Sequence, residues 1–441
     1  ETGSLIKVKV WGENFTAEVE KPNSVLIRAV HKTPAIKWVE RNYSTKLIRC
    51  NRLLAPNLSV RSLYLDCEQF FSQNNSFDRW LTGVIDWYVP PKIKWLVYKE
   101  IDSASKELAE KISLKLISNG ITDFSKVDIG KAYTDITGDE SLIVAMPVTS
   151  SGETLLKLNR NLRISGHNGN RIFISPFVVA SSKSTFDRFQ NSLVYGPGGR
   201  KYQFFSMNNV YIGHDGEKNS WEQELEVVEH LEGSFWRDRD DVLRNRKEGL
   251  NGFIGTPSIC SSDKLEFSQD FAFWNNKYEP EKVDHEAVYL TVSSILQGLR
   301  EKPYSESDKD SLFSYVYQHS VISPDNFTRF NDSLLQSCLW RAANSRELDY
   351  RSAPDLSNDF LGILDRLIEE NVSGVKNGAV DLLMGIAVGR IQVAPGELKA
   401  LMSKAKLAYG TENKNAVSLI DYILFKYFPE EFPRGESEPP I

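Results

Sequence analysis

The sequence is poor in the residues that build metal centres and disulfide frameworks. Its 441 residues include only four cysteines and six histidines, and neither a Cys-x-x-Cys nor a His-Glu-x-x-His spacing occurs. Because the cysteines are scattered and two lie in apolar contexts, we predict buried free thiols in a reducing compartment rather than disulfides or zinc ligands. The four are Cys50, Cys67, Cys260 and Cys338.

Long apolar runs are also missing. No run approaches the ~20 residues that a helix needs to cross a bilayer, and no secretory signal is visible, so we expect a cytoplasmic protein without a membrane partner. The chain begins with Glu1 and not with Met, which leaves room for a removed segment. The net charge of −6 makes nucleic acid an unlikely direct partner. A chain of this length suits two or three domains.

What the sequence does contain is an alternation of buried strands and amphipathic helices. Apolar runs at 93–98, 142–146 and 171–180 predict strands, polar turns and helical patterns follow the first two, and one more short strand is expected between 121 and 140. This alternation predicts a parallel sheet with right-handed crossovers, in which ligands bind at the carboxyl ends of the strands. We therefore expect both polar turns at the same edge of the sheet.

The second polar turn is the strongest functional feature. It reads Thr149-Ser150-Ser151-Gly152-Glu153-Thr154 and joins a buried strand to the start of a helix. Glycine lets the backbone approach a ligand, N–H groups and hydroxyls donate, and the helix dipole favours negative charge, so the turn predicts a phosphate site. Lys99 and Ser103 in the first turn would add contacts. An ordinary helix cap explains the same residues equally well.

These features resemble the core of the type I phosphoribosyltransferases over residues 93–195. In that family a pyrophosphate loop follows the first strand and a Leu-Ala pair lies on the next helix, which residues 99–105 and Leu108-Ala109 match. Its phosphoribosyl-diphosphate signature has an apolar run, two acidic residues, two more positions and then Thr/Ser-Thr/Ser-Gly-x-Thr. Residues 150–154 keep the second part, whereas Met146 and Pro147 replace the acidic pair that holds the ribose hydroxyls.

The resemblance implies a phosphoribosyltransferase-like protein that binds a nucleotide or phosphoribosyl ligand, with Mg²⁺ accompanying that ligand. Without the acidic pair, any transfer chemistry would need other carboxylates, for which Glu153 and Asp102 are the candidates. Segments 265–274 and 323–332 are also similar to uncharacterised bacterial proteins associated with anti-phage defence operons. That similarity implies a component of an antiviral defence system.

Composition divides the chain into five regions. We expect a β-rich region at 1–91, the α/β parallel-sheet core at 92–195, an aromatic, loop-rich extension at 196–283, an all-α domain at 284–432 and a disordered tail at 433–441. Within the first region, residues 63–71 and 77–88 are expected to be helical. Residues 236–247 carry mixed charges typical of a solvated helix face.

A non-enzymatic alternative stays open. In it the sheet domain is a degenerate scaffold, and the helical C-terminal domain binds a protein partner within a larger complex. Asp332 and Arg341 lie on helices that otherwise look buried, so structural ion pairs are preferred there and an interface site comes second. A metal-binding interpretation of His214, Asp215, Glu222 and Glu224 is less favoured than ordinary surface residues, so no metal site is predicted.

Overall fold

A computed structural model gives the structure of the chain. It describes residues 6–11, 14–19, 22–52, 61–68, 70–71, 75–136, 138–196, 202–213, 218–245, 249–258, 263–275, 277–303, 310–312, 320–328, 332–411 and 413–433. The chain divides into two compact units, which we call the sheet unit (residues 65–214) and the helical unit (residues 1–64 and 215–441).

The strands of the described residues are short. In chain order they are β1 (Ile6–Trp11), β2 (Asn14–Val19), β3 (Asn23–Val25), β4 (Ile48–Arg52), β5 (Arg61–Leu65), β6 (Ile93–Tyr98), β7 (Ser125–Asp128), β8 (Ser141–Ala145), β9 (Val148–Thr149), β10 (Arg171–Ile174), β11 (Phe177–Ala180), β12 (Gln203–Phe205), β13 (Asn208–Tyr211) and β14 (Ser320–Ile322).

Helices make up most of the remaining structure. They are α1 (Ile36–Asn42), α2 (Asn75–Tyr88), α3 (Ser103–Ser118), α4 (Ala132–Asp135), α5 (Glu153–Ile164), α6 (Lys183–Val194), α7 (Ser220–Val228), α8 (Ser234–Arg244), α9 (His285–Glu301), α10 (Ser333–Ala342), α11 (Pro354–Val372), α12 (Ala379–Ala387), α13 (Pro395–Tyr409) and α14 (Lys414–Tyr427). Short 3₁₀ turns occur at Pro280–Lys282, Pro324–Phe327 and Ser345–Leu348.

The sheet unit is built on a parallel sheet with the strand order β12-β10-β8-β6-β7. All four pairings are parallel. Residues 142–145 of β8 and all four residues of β10 are buried, as expected for strands covered on both faces. The predicted α/β parallel-sheet core is therefore confirmed, and its strand order places the first strand, β6, between β7 and β8.

Three strands of this sheet continue beyond a break. After Pro147, Pro176 and the Ser206-Met207 pair, the chain resumes as β9, β11 and β13, which form a second parallel ladder in the order β13-β11-β9. Proline has no N–H to donate to a ladder, so a break at Pro147 and Pro176 is expected. As a result, this side of the sheet extends further in the carboxyl direction than β6 and β7.

Two amphipathic helices cover the extended strands. Leu155, Leu158 and Leu162 of α5 recur at the three- and four-residue spacing of one helix face. They join Phe186, Phe189 and Leu193 of α6 and the strand residues Val144, Phe173 and Val178 in one buried cluster. This packing fixes where α5 and α6 begin relative to the strands that precede them.

The helical unit confirms the helices predicted for the C-terminal part of the chain. The apolar spacing predicts helices from about 284 and at 355–371, 376–391, 396–408 and 415–428, and α9 and α11 to α14 lie at these positions. This part is not entirely helical, because β14 pairs in parallel with β3 from the other end of the chain. The N-terminal segment adds the antiparallel pair β1–β2 and the pair β4–β5.

Several expectations need correction. The helix predicted for 63–71 is wrong, because residues 61–65 form β5. Within the aromatic, loop-rich extension, the alternation of residues 203–212 predicts a strand or hairpin arm, and this prediction is confirmed by β12 and β13. The apolar pattern also predicts a helix at 305–321. Most of that segment, together with residues 434–441 of the expected disordered tail, lies outside the described residues.

The cysteine prediction agrees with the described residues. Cys50, Cys67 and Cys338 are buried and free, and burial raises the pKa of each thiol; Cys260 lies outside the described residues. Among the helices of the described residues, none is both long and apolar enough to cross a membrane.

A buried ionic network joins four helices of the helical unit. Glu224 of α7 accepts hydrogen bonds from Arg239 of α8 at 2.7 Å and 3.1 Å and from Arg341 of α10 at 2.7 Å. Arg341 also donates to Asp381 of α12 at 2.6 Å. These four side chains are at most 2% exposed. The two positive and two negative charges balance, which is what allows them to be buried together.

This network meets the expectation of a structural role for Arg341, although its partners were not foreseen. Asp332 differs from the expectation, since its carboxylate caps α10 by accepting the Leu335 N–H at 2.9 Å and also accepts the Ser268 N–H at 2.7 Å. Elsewhere in the helical unit, Arg300 of α9 pairs with Glu347 at 2.6 Å.

Replacing Arg341 with Met should strongly destabilise the helical unit. The substitution leaves Asp381 buried without a cation and removes one of the two cations that contact Glu224; an uncompensated buried charge typically costs about 3–5 kcal/mol. Arg351→Met is the matched control, because its pair with Asp349 is partly exposed and should contribute at most ~1 kcal/mol. Urea unfolding followed by tryptophan fluorescence measures both; equal midpoints for the two variants would contradict a stabilising role for the network.

Candidate functional site

The hydroxyl-rich turn lies between β9 and α5, as the sequence indicates. Gly152 is the N-cap of α5 and has a left-handed backbone with φ of +74°, and no side chain caps the helix there. Its carbonyl accepts the Leu156 N–H at 2.9 Å. The N–H groups of the first turn of α5 therefore begin the helix without the side-chain acceptor that a Ser or Thr N-cap supplies.

The side chains of this turn differ in what they contact. Thr149 is buried, and its hydroxyl lies 2.8 Å from that of Ser175, which gives it a structural role. Ser150 is half-buried, whereas Ser151, Glu153 and Thr154 are exposed. Within the part of the chain that the structure describes, the hydroxyls of Ser150, Ser151 and Thr154 make no hydrogen bond. They remain available to a ligand.

Gly152 is also required for packing. A Cβ atom at this position would lie 2.1 Å from the ring of Phe189 on α6, far inside van der Waals contact. The glycine thus lets the start of α5 approach α6, in addition to allowing the positive φ. A substitution at Gly152 would report on folding as much as on ligand binding.

The first polar turn is held by its own hydrogen bonds. Asp102 is the N-cap of α3 and accepts the Ala104 N–H at 3.2 Å. Ser103 donates to Glu68 at 3.0 Å, and the Lys99 N–H donates to Ser105 at 2.9 Å. The side chain of Lys99 is exposed. Asp102 and Ser103, two of the predicted site residues, are therefore already engaged in intramolecular contacts.

The two turns follow neighbouring strands but are offset along them. Val97 of β6 pairs with Val144 of β8, so the end of β6 lies level with Ala145. The β8–β9 strand continues to Thr149, four residues further, which is ~13 Å if that segment is extended. Lys99 and Ser103 therefore follow a strand that ends before the level of Thr149, and both turns lie on the carboxyl side of the sheet.

The neighbour of the 150–154 turn is a second hydroxyl-rich turn that the sequence analysis missed. Because Thr149 of β9 pairs with Val178 of β11, the turn after β11 lies beside it. It reads Ser181-Ser182-Lys183-Ser184-Thr185 and begins α6. The signal was available, since an apolar strand is again followed at once by hydroxyl residues and a helix. We call residues 150–154 and 181–185 together the edge site.

The second turn differs from the first in being capped. Ser182 accepts the Thr185 N–H at 3.0 Å and contacts the Ser184 and Thr185 hydroxyls at 3.0 Å and 2.8 Å. Lys183 is exposed and donates to Asp187 at 2.5 Å. The edge site thus combines one uncapped helix start, one capped helix start and one lysine.

The two positions that align with the acidic pair of the phosphoribosyl-diphosphate signature carry buried apolar residues. Met146 is 8% exposed and belongs to the buried cluster of the sheet unit, and Pro147 is buried beside it. No carboxylate stands at either position. The described residues also contain no group of three or more His, Cys, Asp or Glu side chains arranged to hold a metal ion.

The residues weighed as metal ligands have other roles or are not described. Glu222 completes the capping box of α7, and Glu224 belongs to the buried ionic network. His214 and Asp215 lie outside the described residues.

Comparisons with known proteins add little. No protein-family model matches the chain, and no curated protein matches it. Among solved structures, a Leishmania donovani UMP synthase aligns with a TM-score of 0.28 and 13% identity, over 40% of this chain and 36% of that one. The match spans little more than a third of the UMP synthase, and a similarity this weak carries no functional argument.

Substituting Gly152 with Ala should destabilise the sheet unit. The positive φ costs about 1–2 kcal/mol for a residue with a Cβ atom, and overlap with the Phe189 ring adds roughly 1–3 kcal/mol. Gly166→Ala is the matched control, because Gly166 has φ of +83° but nothing within 4 Å of its added Cβ. Thermal unfolding should show a clearly lower midpoint for Gly152→Ala than for Gly166→Ala; equal midpoints would mean that α6 moves away at no cost.

Proposed function

We propose that the sheet unit binds the phosphate group of a small phosphorylated ligand at the edge site. The uncapped start of α5 carries this proposal: in the described chain, its first turn has no side-chain acceptor and the hydroxyls of Ser150, Ser151 and Thr154 have no partner. A phosphate oxygen would accept from both kinds of donor and would lie at the positive end of the helix dipole.

The charges around the edge site favour a modest affinity. Lys183 on the adjacent turn supplies one positive charge, although it shares that charge with Asp187. Glu153 in the first turn of α5 is exposed and negative, and it opposes an incoming phosphate. The Glu153 carboxylate should therefore weaken phosphate binding, whereas the hydroxyls of the turn should strengthen it.

Binding is better supported than transfer. A nucleotide or phosphoribosyl ligand is the finer form of the proposal and rests on the resemblance of residues 150–154. The residues that would hold its ribose are replaced by the buried Met146 and Pro147, and Asp102 is occupied as a helix cap. Because the described residues offer no carboxylate cluster, we tie any Mg²⁺ to the ligand's own phosphates.

The alternative is a non-enzymatic scaffold whose helical unit binds a protein partner, as in an antiviral defence complex. The buried apolar residues at the acidic positions favour it over an active transferase. Exposed apolar side chains on or just after the C-terminal helices, at Val372, Val375 and Leu407, would be available to such a partner. This alternative predicts no phosphate binding at the edge site.

Isothermal titration of the full chain with inorganic phosphate, ribose 5-phosphate and phosphoribosyl diphosphate, with and without Mg²⁺, tests the proposal. The double variant Ser150→Ala/Ser151→Ala should weaken binding about tenfold or more, since a hydrogen bond to a charged group contributes about 1.5–3 kcal/mol. Glu153→Gln should strengthen binding about two- to fivefold, because it removes a repulsion of about 0.3–1 kcal/mol.

Ser192→Ala is the control, because this exposed serine lies on α6 outside the edge site and bonds only to its own helix. Loss of binding in Glu153→Gln would instead indicate a direct role for that carboxylate. Absence of heat with all three ligands, or equal affinities in all variants, would reject the edge site and leave the scaffold alternative.

A further inference from the structure

The helical unit contains a cavity of about 640 Å³ that belongs to none of the features considered so far. Its walls come from the chain before and within β4, the segments near Gly252 and Lys264, and the start of α9. Leu265, Phe267 and Val283 supply apolar surface. The volume falls in the range of small-molecule pockets, about 300–1,000 Å³.

Side chains of both charges line this cavity without pairing. Three are cationic, Lys46, Arg49 and Lys264, and two carboxylates, Asp284 and Glu286, stand at the start of α9. In the described chain, no salt bridge joins one of these cations to one of these carboxylates. Glu266 and Glu281 complete the charged lining; these two glutamates are exposed, as are Lys46 and Lys264, whereas Arg49 is half-buried.

Other contacts hold these charges in place. Asp284 accepts the backbone N–H of Lys46 at 2.8 Å, and Glu286 accepts the backbone N–H of Gly252 at 3.1 Å. The ammonium of Lys264 lies 5.1 Å from the centre of the Phe253 ring. Backbone N–H groups thus hold the two carboxylates, and the Phe253 ring positions Lys264, so these three charges are preorganised rather than free to collapse onto one another.

The start of α9 is poorly hydrated. Burial raises the pKa of Asp284 and that of Glu286. Burial, with the nearby Lys264, lowers the pKa of His285 to about 4, so this imidazole is neutral near pH 7. His285 is 8% exposed, and its Nδ1 has no hydrogen-bond partner in the described chain. Perturbed groups of this kind, gathered at a cavity, are typical of binding sites.

We infer that this cavity binds a small zwitterion, a free amino acid or short peptide, with its carboxylate toward Lys46, Arg49 and Lys264 and its ammonium toward Asp284 and Glu286. A simple anion would meet the two carboxylates, and a simple cation would meet the three cations. A ligand with both charges neutralises both groups at once, and the apolar wall accommodates its side chain.

Isothermal titration of the full chain tests this inference with leucine, phenylalanine and glycyl-leucine. Two analogues of leucine each lack one charge: N-acetyl-leucine has no ammonium, and leucine amide has no carboxylate. We expect at least one of the three zwitterions to bind. For leucine, each single-charge analogue should bind at least tenfold more weakly than leucine itself.

Two variants assign the two ends of the ligand. Glu286→Gln keeps the acceptor for the Gly252 N–H but removes the charge, so it should reduce the preference for leucine over N-acetyl-leucine. Lys264→Met should reduce the preference for leucine over leucine amide. Lys37→Met is the control, because Lys37 is exposed on α1 and does not line the cavity; circular dichroism verifies that each variant is folded.

Two results would overturn the inference. N-acetyl-leucine that binds as tightly as leucine would identify a simple anion site, and the absence of binding by all three zwitterions at 10 mM (on the order of the weakest useful affinity) would exclude the proposed ligand class. Because this cavity lies in the helical unit, either result leaves the phosphate proposal for the sheet unit untouched.

Discussion

Arg341 of α10 lies between Glu224 of α7 and Asp381 of α12 in the interior of the helical unit, and Arg239 joins α8 to the same network through Glu224. Burial alone would raise the pKa of Glu224, but Arg239 and Arg341 outweigh it and lower that pKa to about 2. The folded state therefore favours the charged carboxylate, so its contribution to stability is complete above about pH 4.5 and is lost as the pH falls toward 2. Since each charge needs its partner, α7, α8, α10 and α12 are constrained together.

In the sheet unit, the positions of α5 and α6 depend on the parallel strands, which continue past their prolines. Pro147 and Pro176 interrupt the ladder without ending it, and β9 and β11 carry the chain onward. Helices α5 and α6 consequently begin beside each other, and Gly152 must lack a side chain because Phe189 occupies the space. The same close packing that leaves no room for a Cβ atom also aligns two hydroxyl-rich helix starts. The adjacent starts of α5 and α6 therefore explain both the close packing at Gly152 and the position of the edge site.

Much of this architecture could be predicted because its signals are local. The apolar runs at 142–146 and 171–180 and the periodic helices α11 to α14 were recognisable from neighbours in the sequence. The failures involve strand pairings, which residue types alone do not specify. Residues 61–65 form a strand beside β4, and β14 pairs with β3 from about 300 residues away. For the site, residue types indicate each polar turn, but only the strand register places the 181–185 turn beside residues 150–154 and shows that β6 ends before the level of Thr149.

For charged residues, the local sequence shows least clearly which side chains will be partners in the fold. The pattern around Arg341 indicated an ion pair, yet its partners, Glu224 and Asp381, lie 117 and 40 residues away along the chain. The cavity beside α9 is the opposite case, because Lys46, Arg49 and Lys264 approach Asp284 and Glu286 without pairing. The helical unit pairs every charge of the buried network around Arg341. The same fold could therefore also have paired the charges around the cavity. Around the cavity, backbone N–H groups and not the cations hold the two carboxylates, and a ligand that carries both charges explains this better than incomplete packing does.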